Sequence, residues 1–206
     1  MAFSTYAELQ STIADYLARS DLTSQIQDFI SLAETRLSRD LRIRQMLTYT
    51  TITMTANSAN VNIPADFLSI RDIHIVGSPV YALKYESPSN LFRNTDSFVT
   101  ALPKFYTTVG AQFVFSPIPD SAYVLQILYY AKPPVLSNTN ATNVWLTNCP
   151  DALLYAALAE AEPYLMNDAR IQTWAALYDK AVTSLTASDD SSESAGSPLS
   201  ITIAAR

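Results

Sequence analysis

The apolar residues change period twice along this chain, and that double change limits the folds open to it. Leu22, Ile26, Phe29, Ile30, Ala33, Leu37 and Leu41 recur at steps of three and four, the spacing of one helix face. The same period returns at Leu153, Leu154, Ala157, Leu158, Ala161 and Leu165, and again at Ile171, Trp174, Ala175, Leu177, Tyr178, Val182 and Leu185. Between these stretches Thr48, Thr50, Thr51, Ile52, Thr53 and Thr55 form a β-branched run, which favours a strand. A β-rich middle bracketed by helices is the consequence.

The helical ends can be read in more detail. Thr5 precedes Glu8 by three residues, the spacing of a capping box, and Tyr6, Leu9, Ile13, Tyr16 and Leu17 then keep one face. Asn148 reads as an N-cap, with Pro150 and Asp151 in the first turn of the helix that follows, and Asn167 or Asp168 caps the last helix. In the middle, strands are expected at residues 61–63, 69–76, 80–85, 104–109, 112–116 and 123–130, with a short helix within 88–96. The turn at 56–60 points to a hairpin, and so does Pro117-Ile118-Pro119-Asp120. The expected fold is α+β: a four-helix bundle from 1–44 and 148–187, a β-rich insertion at 45–147, and a flexible C-terminal arm at 188–206.

The scarce residues exclude much chemistry. Among 206 residues there are three Gly, one His and one Cys. A Cys/His zinc site needs at least three such ligands, and Gly77, Gly110 and Gly196 lie too far apart for a P-loop or a dinucleotide fingerprint. No cofactor is expected. One Cys forbids an internal disulfide framework, and the first residues lack a charged start and apolar core, so cytoplasmic synthesis is expected. The richest apolar stretch, residues 123–135, is broken by Gln126, Lys132 and Pro133, which argues against a membrane span.

Candidate catalytic groups do not assemble into a site. Asp72 and His74 share a strand face, yet no Gly-x-Ser-x-Gly accompanies them. Glu160 and Glu162, two apart on a helix, do not face each other, and Asp66, Asp120 and Asp151 fall in turns or caps. The chain is therefore not expected to be an enzyme. Net charge is -6, distributed as -1 over residues 1–44, 0 over 45–149 and -5 over 150–206, which disfavours tight sequence-independent DNA binding.

Two surfaces remain as candidates for partner contact. Arg36, Arg39, Arg42 and Arg44 follow the clearest helix and can meet phosphate or an acidic partner; the plainer reading is a solvated helix end with Arg36 paired to Asp40. In the arm, Leu199, Ile201 and Ile203 alternate with Ser200 and Thr202, the period of a strand without a neighbour in sequence. This segment is either a frayed terminus or a strand added to another subunit's sheet edge. The aromatics Tyr81, Tyr85, Phe92, Phe98, Phe105, Tyr106, Phe113 and Phe115 are expected to be mostly core, and Trp174 with Tyr178 to pack on the preceding helix.

Several strings in this order carry a family resemblance. They are Tyr6-x-x-Leu9, Ala33-Glu34-x-Arg36-Leu37, Ile63-Pro64-Ala65-Asp66-Phe67-Leu68, the FVFSPIP of residues 113–119, Leu128-Tyr129-Tyr130, the CPDALLYAALAEA of 149–161, Trp174-x-x-x-Tyr178, and Ser197-Pro198-Leu199. Together they resemble the head-to-tail adaptor, or connector, proteins of tailed bacteriophages. Cys149 departs from the pattern, standing where a large aromatic is expected before Pro-Asp. The resemblance implies a virion structural protein of the neck, assembled in the bacterial host. It implies a twelvefold ring docked on the portal protein and joined on its far side to the next component, a nozzle or stopper, helping retain the packaged genome. Double-stranded DNA would pass through the lumen without specific binding. The arm Ser197, Pro198, Leu199, Ser200, Ile201, Thr202 and Ile203 would reach the portal. The rival readings are a tail-tube or tail-completion protein without portal contact, a virion-associated cell-wall hydrolase, and a DNA-binding module.

Overall fold

In a computed structural model the residues described are 3–94, 99–165 and 168–194. Their elements, in chain order, begin with α1 (Tyr6–Leu17), α2 (Thr23–Asp40) and a 3-10 turn at Arg44–Met46. Strands β1 (Leu47–Thr53), β2 (Asn60–Asn62), β3 (Phe67–Ile75), β4 (Tyr81–Ala82) and β5 (Lys84–Tyr85) follow. After α3 (Pro88–Asn94) come β6 (Phe105–Val109), β7 (Gln112–Ser116) and β8 (Val124–Ala131). Helices α4 (Val144–Asn148), α5 (Pro150–Leu165) and α6 (Asp168–Ser194) complete the α+β chain. It divides into two units, Met1–Gln45 with Pro133–Arg206, and Met46–Lys132.

The helical unit is built on α5. Its Ala152, Ala156, Ala157, Ala159 and Ala161 are buried along with Leu153, Leu154 and Leu158, so nearly every face of the helix is covered. Small alanines let neighbouring backbones approach closely, and α1, α2, α4 and α6 all pack against it. The α2 stripe of Ile26, Phe29, Ile30, Ala33 and Leu37 is buried as its spacing predicts. The α1 capping box forms with Glu8 N–H donating to Thr5 Oγ1 (3.3 Å) and Thr5 N–H to Glu8 Oε2 (3.1 Å). Tyr16, expected on the buried face, is 48% exposed.

The expected bundle of four helices differs from what forms, because five helices belong to this unit among the described residues. The extra one, α4, arises in a connector rich in Pro, Asn and Thr, where Asn143 caps it by accepting from Leu146 N–H (3.0 Å) and Trp145 and Leu146 are buried. Asn148 therefore ends α4 instead of capping α5, and its Nδ2 donates to the Val144 carbonyl (3.0 Å). The connector 133–147 accordingly belongs with the helices, and the β-rich unit is the shorter 46–132. At the other end α6 continues through residues 188–194, where composition predicts the beginning of a flexible arm.

In the second unit two four-stranded sheets enclose one core. The first has the order β1-β8-β3-β4 and the second β2-β7-β6-β5; all pairs are antiparallel except β5 with β6. Ile73, Ile75, Leu125, Ile127 and Tyr129 of the first sheet and Val61, Tyr106, Phe113 and Phe115 of the second share a buried cluster. Gly110 at φ 58° serves the two-residue loop between β6 and β7, where Val109 pairs with Gln112.

Both expected hairpins are corrected here. β1 pairs with β8 and β2 with β7, so the turn at 56–60 carries the chain from one sheet to the other. Pro117 to Asp120 likewise leads from β7 in the second sheet to β8 in the first. The physical reason is shared: two amphipathic strands joined by a turn can bury their apolar sides side by side or face to face, and turn residues do not choose. The strand expected at 80–85 breaks at buried Leu83, giving β4 to one sheet and β5 to the other. Of the aromatics expected in the core, Tyr106, Phe113 and Phe115 are buried, Phe105 is half-buried, Tyr81, Tyr85 and Phe92 are exposed, and Phe98 lies outside the described residues.

Candidate functional site

Most of the candidate chemical groups have local partners among the described residues. His74 Nδ1 lies 2.9 Å from Asp72 Oδ2 on β3, as the strand period predicts. Asp66 Oδ1 accepts from Tyr129 Oη (3.1 Å), and Asp120 Oδ1 accepts from Tyr123 Oη (2.6 Å). Glu160 Oε1 lies 3.7 Å from Arg36, whereas Glu162 Oε1 accepts from Trp174 Nε1 (3.0 Å), and Trp174 also stacks on Tyr155. Asp151 occupies the first turn of α5. Cys149 is fully buried, and burial pushes its thiol up to about 12, far from the range of a reactive thiolate.

The four arginines differ in their surroundings. Arg36 lies 3.7 Å from Asp40 and from Glu160, with its guanidinium 4.2 Å over the Tyr178 ring. Tyr178 is buried and donates to Asp40 Oδ2 (2.7 Å); burial, with that bond second, holds its hydroxyl far above the usual phenol range. Arg42 Nη1 donates to the carbonyls of Ser38 and Leu41, the open end of α2. The Arg44 backbone N–H donates to the Asp189 carboxylate on α6 at 3.1 and 3.2 Å. Arg39 is exposed in the last turn of α2.

Glu34 plays a part that sequence reading passes over. It is buried on α2, with Oε1 accepting from Leu136 N–H (3.1 Å) and from Asn143 Nδ2 (2.6 Å). The carboxylate thereby ties the connector after the β unit to the helix that precedes it. The signal was present, since Glu34 stands four residues after Ile30 and three before Leu37, on the stripe that must be buried.

Among the described residues, a backbone edge and exposed apolar side chains are available to partners. In the β unit Tyr49, Val80, Tyr85 and Phe92 are each more than half exposed, and β1 is a sheet edge. The arm residues Ser197, Pro198, Leu199, Ser200, Ile201, Thr202 and Ile203 lie outside the described residues. A family model described as SU10 adaptor protein matches residues 4–202. The chain belongs to the SU10 adaptor family. It is thus a phage structural adaptor, a protein whose work is contact with other head or tail components of the virion. No curated protein matches it. No helix among the described residues is long and apolar enough to cross a membrane.

Most of the strings that carry the adaptor resemblance have structural tasks in this fold. Tyr6 and Leu9 are buried, and Tyr6 N–H donates to the Ala141 carbonyl (2.8 Å). Asp66 and Tyr129, from two separate strings, are joined by their hydrogen bond. Trp174 and Tyr178 bind the carboxylates of Glu162 and Asp40.

Proposed function

We propose that this adaptor is a head-to-tail connector of the virion neck, acting by assembly and without enzymatic activity. In this reading twelve copies close into a ring docked on the portal, and the far side of the ring receives the next component, a nozzle or stopper, so that the packaged genome is retained. The observation that carries the reading is the family match over residues 4–202. A closing ring needs two different complementary patches on each copy, and the exposed aromatic and aliphatic side chains of the β unit are suited to one of them. The arm at residues 197–203 then reaches the portal, and many such arms acting together convert individually weak strand additions into firm attachment. The acidic balance suits a passage through which DNA slides without sticking.

Light scattering of the purified protein, alone and mixed with the portal ring of the same virus, tests this directly. A complex holding one adaptor per portal subunit is the expected result. Folded adaptor and intact portal that fail to combine would overturn docking and favour a tail-completion protein without portal contact.

A further inference from the structure

Four strands lie at sheet edges, β1 and β4 in one sheet and β2 and β5 in the other. Three of these are two or three residues long, while β1 has seven. An edge presents a row of unpaired N–H and C=O groups, and proteins ordinarily blunt it with brevity, charge, Pro or a bulge. The β1 sequence, Leu-Thr-Tyr-Thr-Thr-Ile-Thr, has neither charge nor Pro, and its register against β8 runs unshifted from Leu47↔Tyr130 to Thr53↔Val124. Among the described residues this edge has no partner strand.

The ladder identifies which groups face outward. Met54 N–H donates to the Tyr123 carbonyl (2.7 Å). Counting back by twos, the N–H and C=O of Ile52, Thr50 and Thr48 also point to β8, so those of Tyr49, Thr51 and Thr53 point away from it. Among the described residues no backbone hydrogen bond satisfies the outward groups. A strand that could do so occurs in the chain's own sequence, outside the described residues. Leu199-Ser200-Ile201-Thr202-Ile203 is uncharged, alternates with period two, and is long enough to pair with three outward-facing residues. Residues 195–198 separate it from Ser194 at the end of α6, a tether of about 13 Å when extended.

We propose that, before docking, β1 accepts residues 199–203 of a second copy as an added antiparallel or parallel strand. The inference rests on the connector reading in one respect: these residues can serve only one strand partner at a time, so docking on the portal must draw them off β1. The arm then protects a vulnerable edge until assembly requires it.

Sedimentation of the full chain over a wide range of concentration provides the first readout. The unaltered protein should self-associate. Thr51→Pro, which deletes an outward N–H and spares the β8 ladder, and Ile201→Asp should each weaken association about tenfold or more, with unchanged circular dichroism. Mixing a Thr51→Cys copy with an Ile201→Cys copy should yield a disulfide between the two under mild oxidation, since the native Cys149 is fully buried. A monomer at every concentration, association indifferent to both substitutions, or a cross-link formed only when both cysteines occupy one chain would each overturn the proposal. Portal binding is measured separately on the same proteins. Thr51→Pro should still bind; failure of the unaltered protein to bind portal rejects the connector reading and leaves the self-association result to be judged alone.

Discussion

A buried carboxylate is tolerated only where hydrogen bonds replace its water, and Glu34 meets that condition with the Leu136 amide and the Asn143 side chain. Glu34→Ala would leave the buried Leu136 N–H without its acceptor and Asn143 Nδ2 with the Pro134 carbonyl (3.0 Å) alone. A loss of about 3 kcal/mol in chemical denaturation is expected, with Glu34→Gln losing less because one acceptor oxygen survives. Equal stability of all three proteins would remove Glu34 from this role. Cys149 supports a second residue-scale prediction. Its thiol is raised from 9.0 to about 12 by burial, so the folded state holds the proton more tightly than the unfolded state. The stability this contributes is fully present below the unfolded pKa and is lost as pH rises through the window from about 9 to about 12. Cys149→Ala should flatten the alkaline decline in stability across that window, and a thiol reagent at pH 8 should label the native protein only as fast as it unfolds.

Helix faces were legible because a period of three and four states which side of the element is buried without reference to any partner. Thus Ile26, Ile30, Ala33 and Leu37 on α2, and Leu153, Ala157, Leu158 and Ala161 on α5, are all buried where the spacing put them. Strand positions were legible for the same reason, but their partners were not. Phe113 and Leu125 each belong to the core, and nothing within either strand states whether they meet across a ladder or across the gap between two sheets. The arm expected to reach the portal lies outside the described residues, while Arg36, Arg42 and Arg44 have partners far apart in sequence or at open helix carbonyls. Asp189 is the instructive case. Composition around it, Ser-Asp-Asp-Ser-Ser-Glu-Ser, is poor in helix formers, yet its carboxylate accepts from the Arg44 amide 145 positions away, and α6 runs on to Ser194. Asp189→Ala should release this last stretch, speeding amide exchange of residues 186–194 about five- to tenfold while the melting temperature scarcely moves. Unchanged exchange would mean that the helix end holds itself.

At the scale of the whole molecule, the position of the β unit in the chain follows from one pair in the ladder. Leu47 at the start of β1 lies opposite Tyr130 near the end of β8, so the chain enters and leaves this unit side by side. Among the described residues the unit has its own buried cluster, nine of its residues from the two sheets together with Met54 and Leu83, and Phe113, Phe115, Leu125 and Ile127 in it are at 0–1% exposure. Neighbouring termini and a private core are what an inserted domain requires, because the host can then close over a short connection as readily as over a long one. Residues 46–132 expressed alone should therefore fold to a β-rich monomer with a single cooperative thermal transition, although the loss of flanking chain at β1 and β8 can lower its midpoint. Such a fragment, if soluble, also separates the two roles assigned to this chain. It retains the β1 edge and lacks the arm, so added as an isolated acceptor it should bind a peptide of residues 195–206, and the Thr51→Pro form should bind that peptide about tenfold less tightly or worse. A fragment that stays unfolded by circular dichroism would show that the β core depends on the helices, and the inserted-domain reading would fall with it.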